Sequence, residues 1–274
     1  MLKNEIGLPG ITNARELGGY IIGDKTIKKG LLLRTGALNN AGTDAIKILE
    51  EKYRVQKIID FRMKYEWANV PDPEVNGAEH VGLSVVEMED YLQKAGYSMD
   101  VDKQFLWKTQ DRMALFEQAY EFGMLGSDTY IAFILGERGK KAYKEFFKIL
   151  LETDTDKGAI IFHCTDGKDR TGLAAMLLLY ALGADRKTVI DDYMLTNEYN
   201  ARTLEFVRKK AEEADMPPRK REALLFMSGG VVESYMTNAI NTLESKYGSV
   251  REFLFEELSV GDVEVKKLKD KFLE

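Results

Sequence analysis

Cysteine is nearly absent from this chain. The 274 residues contain one, Cys164, which excludes an intramolecular disulfide and any need for an oxidising compartment. Histidine is almost as scarce, with only His80 and His163. A zinc site from His163, Cys164 and His80 is not expected, because adjacent strand residues point to opposite faces and the usual zinc spacing is missing; nor is any other cofactor expected. With five prolines, no Ser/Gly-rich stretch and no repeat, nothing marks a linker; residues 1–274 are expected to form a single domain. No apolar run approaches the length of a membrane span. The first residues, Met1-Leu2-Lys3-Asn4-Glu5, lack the apolar core of a signal peptide. A cytoplasmic protein is expected, with signal-less secretion as the alternative. An excess of positive charge is missing too. The formal net charge of −6 argues against a nucleic-acid partner.

What is present suffices for one core, since 45% of the residues are hydrophobic. Short strands are expected at Tyr20-Ile21-Ile22, Leu31-Leu32-Leu33, Lys57 to Asp60 and Ala159 to His163. Their apolar runs do not alternate, which implies a mainly parallel sheet covered on both faces. Thr43 is placed to cap a helix running to about Lys52. From Thr171 onward the pattern is mostly helical, over 172–182, 186–194, 196–214, 231–246 and 263–272. The fold class is therefore α/β with a helical C-terminal half. Two basic clusters, Arg208-Lys209-Lys210 and Arg219-Lys220-Arg221, lie on Glu-rich amphipathic stretches. A solvated face is expected there, with peripheral contact to lipid head groups as the alternative.

The chemistry concentrates around the lone cysteine. Cys164 sits in His163-Cys164-Thr165-Asp166-Gly167-Lys168-Asp169-Arg170-Thr171-Gly172, after an apolar strand and before a leucine-rich helix. A loop between strand and helix can aim its amides at one anion, and the helix dipole adds a positive field. The same field favours a thiolate over a thiol. Arg170, six residues after Cys164, offers a planar fork for two phosphate oxygens. Thr171 is placed to cap the helix, with its hydroxyl also within reach of the sulfur. Cys164 would attack phosphorus, Arg170 would clamp the phosphoryl oxygens, and residues Thr165 to Arg170 would form the anion cradle. This pattern reads as a cysteine-dependent phosphatase.

The loop resembles the active-site signature of the protein tyrosine phosphatase superfamily. Its Gly167-Lys168-Asp169-Arg170-Thr171-Gly172 string is similar to a bacterial branch of atypical tyrosine and lipid phosphatases. Further segments resemble that branch: Asn13 to Tyr20, Leu32 to Leu38, Asp60-Phe61-Arg62 with Glu66, Asp192-Tyr193 with Asn197, and Tyr247 to Val250. The resemblance implies that His163 orients the loop, with Arg62 as a supporting residue. The superfamily's usual acid, an aspartate in Trp-Pro-Asp, is missing. Asp169 matches the position of the proposed acid in the bacterial branch. Asp60, at the carboxyl end of a strand beside the catalytic one, is the runner-up, its alternative roles being a helix cap or an ion pair with Arg62. The segment 86–139, rich in Met and aromatics, is either packed core helices or a helical lid over the site, as in some relatives.

Substrate class stays open at this stage. Lys168 adds a cation to the loop, as in lipid phosphatases, while Asp166 departs from the bacterial tyrosine phosphatase pattern. The expected substrate is a phosphotyrosine protein, with a phosphoinositide as the alternative. Two rivals differ in class. A non-catalytic phosphate-binding module would keep the cradle but lose the nucleophile or the arginine. A thiol redox protein would show activity that a phosphate competitor does not block.

Overall fold

In the computed structural model, which describes residues 2–90 and 126–274, three apolar strands lie side by side in parallel. They are β4 (Leu32–Thr35), β5 (Lys57–Asp60) and β7 (Ile160–His163), with β7 between the other two. On the outer edges run β1 (Arg15–Glu16), antiparallel to β4, and β6 (Glu79–Gly82), parallel to β5. A separate hairpin joins β2 (Ile21–Ile22) and β3 (Lys25–Thr26). Strand register places Thr35 and Asp60 on either side of His163, so three strand ends converge where Cys164 begins.

Period-two geometry divides the apolar run of β7 between two cores. Ile160 and Phe162 pack with Leu32, Ile59 and Phe61 on one face; Ile161 packs with Leu33 and Ile58 on the other. The second face is covered by α1 (Thr43–Lys47) and the π turn Ile48–Lys52, through Ala45, Leu49 and Tyr53. Gly42, not Thr43, occupies the cap position of α1, because Thr43 already has helical geometry. The short helix α2 (Lys64–Asn69) follows β5.

The first face carries the larger layer. It holds α3 (Ser127–Leu135), α4 (Glu137–Glu152), α5 (Arg170–Leu182) and α6 (Arg186–Tyr199). Helix α5 is apolar all round, from Leu173 to Leu182, because it is surrounded. The chain continues through α7 (Ala201–Glu213), α8 (Pro218–Met227), α9 (Glu233–Tyr247), α10 (Val250–Glu256) and α11 (Asp262–Phe272). Ser249 caps α10 by accepting from the Glu252 amide at 3.1 Å, and Asn197 bonds both the N–H and C=O of Val231.

The expected lid falls mostly on residues 91–125, which lie outside the described residues. Its described flanks belong to the core: Val86 is buried, and Tyr130 and Ile134 of α3 are fully buried. Among the described residues no helix is long and apolar enough to cross a membrane.

Candidate active site

His163 closes β7 and Arg170 opens α5, so the intervening loop spans the step from strand end to helix N-terminus. Cys164 is buried at the start of that loop. Among the described residues, no hydrogen bond is donated by the amides of Thr165 through Asp169. The loop is pinned from outside instead: Ala37 donates to the Thr165 carbonyl and Phe61 to that of His163, both at 2.9 Å. Gly167 has φ +66°, and a Cβ there would lie 2.2 Å from the Thr35 carbonyl oxygen. Only glycine lets the loop pass so close to β4 in that conformation.

Behind the loop lies a buried polar cluster that gathers four distant segments. Asn13 Nδ2 donates to the Gly167 carbonyl at 2.9 Å and to that of Asp166 at 3.2 Å. Arg34, at the end of the apolar run of β4, donates to the same Gly167 carbonyl at 2.9 Å and pairs with Asp192. Arg15 pairs with Asp192 Oδ1 at 3.1 Å, and Tyr20 donates to that oxygen at 3.1 Å. Both guanidiniums are fully buried. Burial pushes Asp192 up, but Arg34 and Arg15 outweigh it and hold the carboxylate below its ordinary value. Sequence reasoning did not place Asn13, Arg15, Arg34 and Asp192 at the site. The available signal was charge set among apolar strand and helix residues.

Arg170 leads out of the loop into a fork with Glu66 of α2. Its Nη1 lies 2.6 Å from Oε2 and its Nη2 3.3 Å from Oε1, while Nη2 also donates to Thr165 Oγ1 at 3.0 Å. Thr165 donates in turn to Glu66 Oε1. Burial raises the Glu66 pKa, yet the Arg170 charge and these hydrogen bonds win and bring it down to about 2. The stability Glu66 contributes is therefore present above its ordinary value of 4.5 and fades as pH falls toward 2. Glu66→Gln is expected to unfold at lower urea than wild type near pH 7, with the gap closing between pH 4.5 and 2. A gap unchanged across that window would refute the pairing.

Asp169 sits half-buried at the cap of α5. Burial raises its pKa; the Lys168 charge and a hydrogen bond from Tyr130 oppose that rise without cancelling it. Lys168 is buried, with its ammonium 3.9 Å from Asp169 Oδ2. It donates to the carbonyls of Phe226 and Gly230 and stands 3.9 Å from the centre of the Phe226 ring. Thr171 lies inside the first turn of α5 rather than at its cap, because the helix begins one residue earlier. Asp166 is half-buried and Thr165 exposed.

Asp60 is paired with Arg62. Arg62 Nη2 bonds Asp60 Oδ2 and Asp72 Oδ2, each at 2.7 Å, and Arg62 Nε reaches both Asp60 oxygens. His163 Nε2 lies 3.1 Å from Asp72 Oδ2, and its Nδ1 3.3 Å from the Cys164 carbonyl. Asp60, Asp72 and His163 have ligand atoms close enough to share an ion, but the Arg62 guanidinium already balances the two carboxylates. His80 is exposed on β6.

Thiol, amide cradle and arginine on one strand–loop–helix turn of a parallel sheet define a phosphatase fold. The chain belongs to the tyrosine phosphatase family, which it matches over residues 6–274, and it is a phosphoric monoester hydrolase of the tyrosine-phosphatase type. It is 25% identical over 272 residues to a Cupriavidus necator protein named as a tyrosine-protein phosphatase, covering 99% of this chain and 89% of that one. It is 30% identical over 140 residues to a Nostoc commune tyrosine-protein phosphatase, covering 49% and 45%. A Mycobacterium tuberculosis triple specificity protein phosphatase is 30% identical over 102 residues, covering 35% and 37%.

Proposed function

We propose that this phosphatase cleaves phosphotyrosine in proteins through a phospho-cysteine intermediate formed on Cys164. The observation that carries this is the position of the Cys164 thiol, buried between the end of β7 and the amide loop that opens α5. The sulfur attacks phosphorus, the loop amides and Arg170 hold the three equatorial oxygens, and Asp169 protonates the departing phenol. Water then hydrolyses the thiophosphate, with Asp169 as base. A pKa raised by burial suits an acid that must keep its proton near neutral pH. Residues 1–274 act as one phosphatase domain, since the two apolar clusters lie on opposite faces of one sheet.

Lys168 supports phosphotyrosine over phosphoinositide. The lipid reading needs a second cation facing the extra phosphates, and this buried ammonium is already shared among the Phe226 and Gly230 carbonyls and the Asp169 carboxyl. The test is phosphate release, without added metal, from a phosphotyrosine peptide panel and a phosphoinositide panel, with acid quench and mass spectrometry of the enzyme. Peptides are expected to turn over faster, and phosphate is expected on Cys164. Faster turnover of the inositol lipids would reverse the substrate assignment. A quenched enzyme in steady turnover with no phosphorylated Cys164 would sink the nucleophile.

A further inference from the structure

Asp169 is held by residues from outside its own loop. Tyr130, from α3, is fully buried and donates its hydroxyl proton to Asp169 Oδ1. Tyr193, from α6, places its hydroxyl 2.8 Å from that of Tyr130. A phenol has a single proton to donate. With Tyr130's proton spent on Asp169, the proton between the two phenols is Tyr193's. The order Tyr193 to Tyr130 to Asp169 follows.

Packing fixes this chain in place. The Tyr130 ring meets Tyr193 edge-on at 6.0 Å and Tyr235 at 5.9 Å, and Phe226 lies 6.4 Å away. Phe226 in turn carries the Lys168 ammonium over its face. Burial pushes both phenols far above their ordinary value of 10, so neither gives up its proton in the working range. They act on Asp169 only as donors.

We propose that Tyr130, pinned by Tyr193, is a positioning residue for Asp169. By donating to Oδ1 it keeps the transferable proton on Oδ2 and fixes the direction of that oxygen. This rests on the assignment of Asp169 as the acid. In the step it serves, the bond from Cys164 sulfur to phosphorus forms as the bond from phosphorus to the leaving oxygen breaks. The electron pair of the broken bond goes to that oxygen, which takes the proton from Oδ2. Asp169 is left as a carboxylate, still bonded by Tyr130.

The groups that face Asp169 set the sign of the pH effect. Lys168 (Nζ to Oδ2 3.9 Å), Arg170 and Asp166 act from the loop. Tyr143 acts from α4, Tyr130 from α3, Tyr193 from α6 and Tyr235 from α9. The Tyr130 hydrogen bond favours the carboxylate. Removing that hydroxyl raises the Asp169 pKa, so the acid stays protonated to higher pH.

The test is a series of aryl and alkyl phosphates turned over by wild type, Tyr130→Phe, Tyr193→Phe and Asp169→Asn. Good leaving groups need little protonation and poor ones need much. The Tyr130→Phe loss is expected to grow along the series, to about tenfold for alkyl phosphates. The alkaline limb of its kcat profile is expected to move to higher pH. Tyr193→Phe should show the same pattern at smaller size, and retained tungstate binding reports a folded loop in both. Wild-type leaving-group dependence and an unmoved alkaline limb in Tyr130→Phe, with a steepened dependence in Asp169→Asn, would overturn the inference alone. An even loss across the series with weakened tungstate binding would also overturn it, as a purely structural role. An unaltered dependence in Asp169→Asn would remove the acid assignment itself, and the inference with it.

Discussion

Cys164→Ser is expected to release phosphate at least about 10⁴-fold more slowly than wild type, while tungstate still binds. The two atoms differ little in size, so the fold and the cradle persist. What changes, on the proposed mechanism, is the nucleophile. A serine hydroxyl does not ionise near neutral pH, and among the described residues no histidine stands ready to take its proton. His163, the neighbour in sequence, directs its ring nitrogens at the Cys164 carbonyl and Asp72. Arg170 and the amides of Thr165 to Asp169 are untouched by the change, so anion affinity is retained. That split between binding and turnover separates an enzyme from a phosphate-binding module. The measurement is single-turnover phosphate release beside calorimetric tungstate titration. Turnover within about tenfold of wild type would mean that another group attacks phosphorus.

The loop was legible because its parts are contiguous: thiol, glycine and arginine fall within a few residues, and the flanking strand and helix announce themselves by composition. Its support was not. Asn13, Arg15 and Arg34 stood out as motifs, but a sequence separation of more than 150 residues carries no information about which carbonyl Asn13 meets. Glu66 was visible as part of a motif, while its fork with Arg170 depends on how α2 turns back over the loop. Tyr130 was hidden in a segment whose aromatics suggest either core or lid, and it is the hydroxyl of a fully buried ring that matters. The direction of the Lys168 side chain was not legible, because residue type gives charge, not rotamer; its ammonium meets the Phe226 and Gly230 carbonyls and lies 3.9 Å from Asp169 Oδ2. The edge strand β6 went unseen since Glu79-His80-Val81-Gly82 is mostly exposed and has no apolar face to betray it.

Asp192→Asn is expected to cost about 3–5 kcal/mol of folding stability and to weaken tungstate binding at the same time. The carboxylate faces two fully buried guanidiniums, Arg15 and Arg34, and the Tyr20 hydroxyl. An amide keeps the shape but removes the charge, leaving two cations in a medium that cannot solvate them. Arg34 already feels this strain: burial, and then the Arg15 charge, pull its pKa down to about 10 even with Asp192 present. A buried ion pair is weak evidence of net stability, since an apolar replacement of the whole set is often neutral; breaking it from one side is what costs. The second effect follows from geometry. Arg34 binds Asp192 with one nitrogen and the Gly167 carbonyl with another. An Arg34 that turns away from the asparagine gives up one of the two side-chain bonds to the carbonyl of Gly167, the residue whose φ of +66° shapes the proposed anion loop. Thermal unfolding is expected to fall by about 10 °C, with tungstate affinity dropping even at temperatures where the variant is folded. A stable variant with wild-type affinity would show that the cluster is packing alone. Loss of stability with intact affinity in the folded fraction would confine Asp192 to the core and leave Asn13, bonded to the same carbonyl, as the residue that holds the loop.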